Sequence, residues 1–221
     1  MSWAETGVIN SNMKKTLNEQ LQSHSFNIIE VITATGTYTP NKTGLYRVIC
    51  VGAGGAGTFS GTSRCSSGGG GGVAIKDMLL ESTKTYNVTV STTSSFGTEI
   101  TATSGSKALY NGTTLQTPPY GGAASGGTYN FPGEQAFSRT TVNSPIRGGS
   151  LQCVIPELSE VITVADLNRN LLSYGNSLLG YGGGGPAVIG FDTNTDKYDT
   201  NFCLPGLPAA IIIISLETEG Y

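Results

Sequence analysis

Three glycines, Gly52, Gly54 and Gly57, stand in G-x-G-x-x-G spacing directly after the apolar run Tyr46 to Val51, and Asp77 lies twenty residues beyond the last of them. In a dinucleotide-binding unit such glycines turn the chain and let its backbone approach a pyrophosphate, while the acidic residue holds a ribose hydroxyl. That chemistry requires a helix to begin at the third glycine, so that its first amides and its dipole face the phosphates. The continuation here is TFSGTSRCSSGGGGG, whose six glycines and six serines or threonines offer no apolar face at helical spacing. Each glycine inside a helix also costs about 1 kcal/mol. The glycines are therefore read as backbone-packing positions and not as a phosphate cradle.

Other constellations are weaker. A Ser-His-Asp triad would have to use the single histidine, His24, at the end of a candidate helix, where a solvated or capping role is commoner. Glycoside cleavage needs two converging carboxylates; Glu134, Glu157, Glu160, Asp166 and Asp192 are available, but their spacing does not show convergence. Asp192, Asn194 and Asp196 imitate the first ligands of a calcium loop, yet Lys197 replaces its glycine and Cys203 stands where the bidentate glutamate belongs, so a polar turn is expected and no metal site. Cys50, Cys65, Cys153 and Cys203 are far apart with no C-x-x-C spacing, which favours structural thiols over zinc. Sequons beginning at Asn41, Asn87 and Asn111 are read as turn and strand residues.

Composition narrows the class. The 221 residues hold 32 glycines, only 12% charged residues and a net charge of −3, so turns are abundant, helix is scarce and nothing attracts a nucleic-acid backbone. No apolar stretch is long enough to cross a membrane as a helix, and the amino terminus lacks a charged-then-apolar leader; neither membrane insertion nor export by the usual route is expected.

The elements that would position any site follow from periodicity. Residues 10–25 lack glycine and proline, and Ile9, Met13, Leu17 and Leu21 recur every fourth position, drawing one apolar stripe along a short helix capped near Asn10, Ser11 or Asn12. A helix of that length is marginal alone, so the stripe lies against its own domain or serves as an assembly seam. Trp3 precedes it. From Phe26 the pattern becomes β: FNIIEVITATGTYTP, LYRVICV with a doubly covered stretch from Val48 to Val51, then VAIKDMLLE and TYNVTVST joined by Glu81 to Lys84, and FGTEITAT. Thr117 to Phe131 carries too many breakers for a regular element, and the aliphatics from Ala209 to Ile214 demand a buried, internal strand. Val154 to Leu172 reads as a strand, EVITV, followed by a helical turn starting near Asp166, a length at which helix and strand are hard to separate.

The order of these motifs resembles the glycine-rich domain found in bacteriophage tail fibres and related tail-tip proteins. That family's opening G-T-W-T-x-P is similar to Gly36 to Pro40, with Tyr38 at the usual tryptophan. Its strand ending in glycines is similar to Tyr46 to Gly57, its Y-x-V-x-V strand to Tyr86 to Val90, its S-S-F-G element to Ser94 to Gly97, and its closing strand to Gly206 to Ile213. The resemblance spans residues 26–216; Ser91 to Ser94 replaces a glycine loop, and residues 137–177 have no counterpart.

The resulting expectation is a mostly β chain: a short α-helix in residues 1–25 for attachment or oligomerisation, then a glycine-rich β-sandwich-like domain over residues 26–221, with residues 137–177 as an insertion. Glycine runs can lie side by side as three-fold polyglycine II helices, because no side chain holds neighbours apart and backbone amides cross-link them. Loops relieved of core duty can then carry recognition. Tyr110, Tyr120, Tyr129, Phe131, Tyr174, Tyr181 and Tyr198 lie in or beside glycine- and Asn-rich loops, where rigid aromatics suit sugar faces, although some are expected to pack locally. The resemblance implies a virion protein of the tail, assembled in the bacterial host cytoplasm as a homo-oligomer, with threefold symmetry favoured. It would bind a bacterial surface glycan or protein and other tail proteins, without catalysis or cofactor. A purely architectural baseplate, collar or decoration protein and a polysaccharide depolymerase are the alternatives.

Overall fold

The computed structural model describes residues 27–60, 64–111, 114–136, 138–139, 148–150, 159–160, 163–164, 172–173, 177–178, 181–185, 187–188, 202–203 and 205–216. The striped segment Ile9 to Leu21, Trp3 and His24 lie outside them. Ten strands build two five-stranded antiparallel sheets: β1 (Asn27–Ile32), β2 (Gly36–Tyr38), β3 (Gly44–Val51), β4 (Val73–Leu80), β5 (Tyr86–Val90), β6 (Thr93–Phe96), β7 (Ile100–Thr103), β8 (Ala124–Ser125), β9 (Tyr129–Phe131) and β10 (Ala210–Ser215). The first sheet runs β1-β10-β3-β4-β9 and the second β8-β7-β6-β5-β2. The described fold is thus mostly β, as expected.

Alternation along the strands makes the core. Tyr46, Val48 and Cys50 of β3, Ala74 and Leu80 of β4, and Ile211 and Ile213 of β10 face the second sheet. There they meet Tyr38, Val88, Phe96, Ile100 and Ala102. Phe96 stacks on Tyr86 at 5.3 Å between ring centroids and tilts against Tyr38 at 6.1 Å. The intervening residues Ile49, Val51, Val73, Ile75, Ile212 and Ile214 form a second buried cluster on the outer face of the first sheet. That two-sided burial is why Val48 to Val51 and Ala210 to Ile214 read as unbroken apolar runs. Ser94, fully buried in β6, donates its hydroxyl to Val51 O at 2.7 Å, tying the sheets where β3 leaves the sandwich.

Two local expectations need correction. FGTEITAT is not one strand: Gly97 has φ +56, a left-handed conformation that turns the chain between β6 and β7. β6, which begins at Thr93, pairs with both β5 and β7. Thr117 to Phe131 holds two strands despite its glycines, since β8 and β9 each find a partner edge, β7 and β4 respectively.

Beyond the sandwich lies a second packed unit made from backbone. Eight described stretches, residues 52–57, 67–72, 103–108, 118–123, 132–136, 148–150, 182–185 and 205–209, run side by side and exchange amide hydrogen bonds. The run Gly68 to Gly72 is central. Its amides donate in turn to Gly185, Ser106, Glu134, Gly182 and Thr103, at 2.7–3.0 Å, so the partner stretch repeats after every three residues. Its carbonyls accept from Gly149, Gly55 and Gly122, and again from the 52–57 stretch through Gly52. Six neighbours around a three-residue repeat is the arrangement of polyglycine II, an extended helix of three residues per turn.

The geometry dictates the residue types. A methyl on Gly68, Gly69, Gly70, Gly71 or Gly72 would overlap a carbonyl of Gly55, Tyr120, Ser150, Gly52 or Ala123 respectively. All three faces of the central run are enclosed, so all five positions are glycine. Outer stretches face inward only in part: Gly105, Gly133 and Gly206 are each crowded by backbone, while their neighbours Ser104, Pro132 and Pro205 carry side chains outward. Pro132, Pro205 and Pro208 are exposed, positions where the φ of proline suits the extended helix and its missing N–H leaves no amide unpaired.

Candidate recognition face

β3, β7 and β9 run out of the sandwich into bundle stretches and β4, β8 and β10 return from them, and the chain turns back between such stretches at the end away from the sandwich. The turning elements there are the hairpins Thr58–Ser60 with Arg64–Ser66 and Leu109–Asn111 with Thr114–Thr117. The strand Ser138–Arg139 is added to the first, and Ala187–Val188 pairs with Phe202–Cys203. This far end is the candidate face. The 52–57 and 103–108 stretches are hydrogen-bonded through Gly105 N and Ala53 O at 2.9 Å, and 103–108 to 118–123 through Ser106 N and Tyr120 O at 2.8 Å, so the first two hairpins spring from adjacent stretches.

Tyr120 is the best-built aromatic on this side. Its amide donates to Ser106 Oγ at 2.8 Å and to Pro118 O, and its carbonyl accepts from the Ser106 amide, so the backbone is pinned. The side chain is 54% exposed. A fixed backbone with an open aromatic ring gives contact area at little entropic cost. Tyr110 is half-buried in the second hairpin, with Asn111, Thr114 and Gln116 exposed beside it. Phe59 and Leu109 are exposed large apolar residues of the far-end hairpins. Neither is among the sequence candidates, which are aromatics in or beside glycine- and Asn-rich loops; the signal for Phe59 is its place in TFSGTS, between two glycine runs.

The remaining candidates are not brought to this face. Tyr129 is 57% exposed but belongs to β9, an edge strand of the sandwich, opposite Ile75. Phe131 and Tyr181 pack, partly buried, against the outer cluster of Ile49, Val51 and Ile212. Tyr174 and Tyr198 lie outside the described residues.

Residues singled out for chemistry are otherwise engaged or outside view. Gly52 and Gly54 of the fingerprint donate their amides to Gly72 and Leu207, the intervening Gly55 donates to Gly69, and Gly57 is buried, so the glycine fingerprint is packing, not a phosphate loop. Asp77 sits on β4 and forms a bidentate pair with Arg47 of β3, at 2.8 and 2.9 Å. Glu134 accepts the Ser150 amide at 2.8 Å on its side chain while its own amide donates to Ser150 O at 2.8 Å, a latch between two bundle stretches. Glu157, Asp166, Asp192, Asn194 and Asp196 lie outside the described residues, and of Glu160 only the backbone pairing with Ser177 is described. Among the described residues no group of three His, Cys, Asp or Glu side chains is placed to hold a metal ion.

Compared with known proteins, the chain matches no family model and no curated protein.

Proposed function

We propose that this chain is a tail-fibre or tail-tip component of a bacteriophage or phage-derived particle that binds a bacterial surface glycan or protein non-covalently through its far-end hairpins. The carrying observation is the division of labour in the fold. The inner cluster of the sandwich and the amide hydrogen bonds of the bundle hold the scaffold, and Tyr120, Phe59 and Leu109 are exposed at or beside the opposite end. A scaffold of that kind tolerates sequence change where it meets a ligand. The order of motifs shared with glycine-rich phage tail domains supplies the biological setting. In this reading the protein is assembled in the host cytoplasm, resides in the virion tail, contacts other tail proteins, oligomerises as a trimer through Ile9, Met13, Leu17 and Leu21, and uses no cofactor or catalysis.

A second reading, an architectural baseplate, collar or decoration subunit, draws on a different observation. Leu45 and Leu79 are cross-strand partners on the outer face of the first sheet, and Leu79 is 63% exposed. An exposed apolar pair on the sandwich suits a subunit contact.

One experiment separates them. Fluorescent full-length protein is incubated with bacterial cells alongside the variants Phe59→Ser/Leu109→Ser/Tyr120→Ser and Leu45→Ser/Leu79→Ser. The adhesin reading predicts loss of cell binding in the first variant and retention in the second. Cell binding by neither wild type nor variants, with capture of particle proteins lost only in the second variant, overturns it in favour of architecture. Release of reducing sugars from cell-wall polysaccharide would reinstate the depolymerase.

A further inference from the structure

Cys65 and Cys203 are 138 positions apart in the sequence, yet the fold places both at the far end of the bundle, where with Ala187 they form an apolar cluster separate from the two clusters of the sandwich. Cys65 is fully buried on the strand Arg64–Ser66. Cys203 is partly buried and stands directly across from Ala187 in the neighbouring ladder. Among the described residues this cluster holds three small side chains, against the large ones of the inner cluster, Tyr38, Phe96, Leu80 and Ile211. A covalent staple between chain segments distant in sequence stabilises by restricting the unfolded chain.

We propose that Cys65 and Cys203 form a disulfide when the protein meets an oxidising medium, cross-linking the Thr58–Ser66 hairpin to the Phe202–Cys203 ladder. Each carries a thiol in this structure. Cys50 is no competitor: it is fully buried in the inner cluster of the sandwich, where burial pushes its thiol up to about 12.

The reaction balances as two thiol–disulfide exchanges with a low-molecular-weight disulfide as oxidant. The Cys203 thiol, the more accessible, gives its proton to solvent, and its sulfur attacks one sulfur of the oxidant. The oxidant's S–S bond breaks, one small thiolate leaves, and a mixed disulfide remains on Cys203. The Cys65 thiol then loses its proton and attacks the Cys203 sulfur, forming the Cys65–Cys203 bond and expelling the second thiolate. Two protein thiols lose two electrons, the small disulfide gains them, and its two thiolates take up the two protons. Burial raises the Cys203 thiol above its ordinary value, so the first exchange quickens as pH rises toward it. The biological timing, assembly in a reducing cytoplasm and closure after release, rests on the functional reading above; the chemistry does not.

The test uses the full-length chain with reduced or oxidised glutathione at pH 8, quenched in acid, alkylated in denaturant, weighed intact and peptide-mapped. Four cysteines take the label after reduction. After oxidation the wild type should take two labels, 4 − 2, with Cys65 and Cys203 recovered as one cross-linked peptide. Its melting temperature should rise by roughly 5 °C or more, a rise that vanishes in Cys203→Ser. Four labels after oxidation, or a cross-link that uses Cys153 instead of either residue, overturns the proposal. Because cell binding is not the readout, failure here leaves the adhesin reading standing, and failure of cell binding leaves the disulfide standing.

Discussion

A methyl on Gly70 would overlap the carbonyl oxygen of Ser150, and the obstacle is backbone, so no side chain can rotate to relieve it. Gly70→Ala should therefore cost about 3 kcal/mol or more, beyond ordinary overpacking, and so lower the urea midpoint sharply or abolish the folded state. Gly36→Ala, where nothing lies within 4 Å of the added carbon, should change stability by less than about 1 kcal/mol. Equal effects at the two glycines would contradict the enclosed central run. Tyr38 makes a separate prediction. Its burial, with Tyr46 and Glu30 nearby, pushes the phenol up from 10.0 to about 12. A raised folded value stabilises below pH 10 and that contribution is lost as pH climbs from 10 to 12. The loss attributable to Tyr38 is about 1 kcal/mol by pH 11. Urea melts at pH 8 and pH 11 should show that loss in the wild type and a smaller one in Tyr38→Phe. At this scale the sequence disclosed the need for glycine but not its reason, because the same G-x-G-x-x-G letters serve a phosphate loop or a backbone bundle until it is known what each amide donates to. Tyr120 was legible as an exposed aromatic. Phe131 and Tyr181 were not separable from it, since a sequence does not reveal that β9 adds to β4 and turns Phe131 toward a buried cluster.

Among the elements, strands with strong alternation or continuous aliphatics were legible: β3, β4, β5 and β10 follow their patterns closely. The short strands β6, β8 and β9 were not, because a strand of two to four residues among glycines and serines owes its existence to a partner edge and not to its own propensity. The distinction has a practical consequence for residues 109–131. The hairpin Leu109–Thr117 projects from the bundle, whereas residues 118–123 lie within it, with Gly122 N bonded to Gly70 O at 2.8 Å and Tyr120 O held by Ser106. Replacing the Leu109–Thr117 hairpin by a short glycine–serine turn should leave the melting temperature within a few degrees, while deleting residues 118–123 should prevent folding. Circular dichroism melts of both variants check this, and a folded 118–123 deletion would show that the stretch is an ordinary surface loop.

The whole molecule combines two cores built on different principles. One buries Val, Ile, Phe and Tyr side chains between sheets in proportion to apolar area. The other buries mainly small side chains, such as Ser67, Ala108, Ala136 and Ala209, and relies on amides that each contribute roughly 0.5–1.5 kcal/mol when satisfied and cost more when left unpaired. Ordering glycine is entropically expensive, so a glycine tract stays ordered only if nearly every amide within it finds a partner. The described bonds of Gly68 to Gly72 meet that condition for all five amides. Composition pointed to this division in outline, through 32 glycines beside strongly apolar strands, but the pairing of distant stretches such as 68–72 with 182–185 has no local signature. The most direct measurement is native-state hydrogen–deuterium exchange of the full chain, followed by fragmentation at single-residue spacing across residues 67–73. If the glycine bundle is a true core, the amides of Gly68 to Gly72 exchange as slowly as those of Val48 to Val51 in β3. If they exchange at the rate of an unstructured peptide while β3 stays protected, the tract is a flexible linker and the scaffold argued for here does not exist.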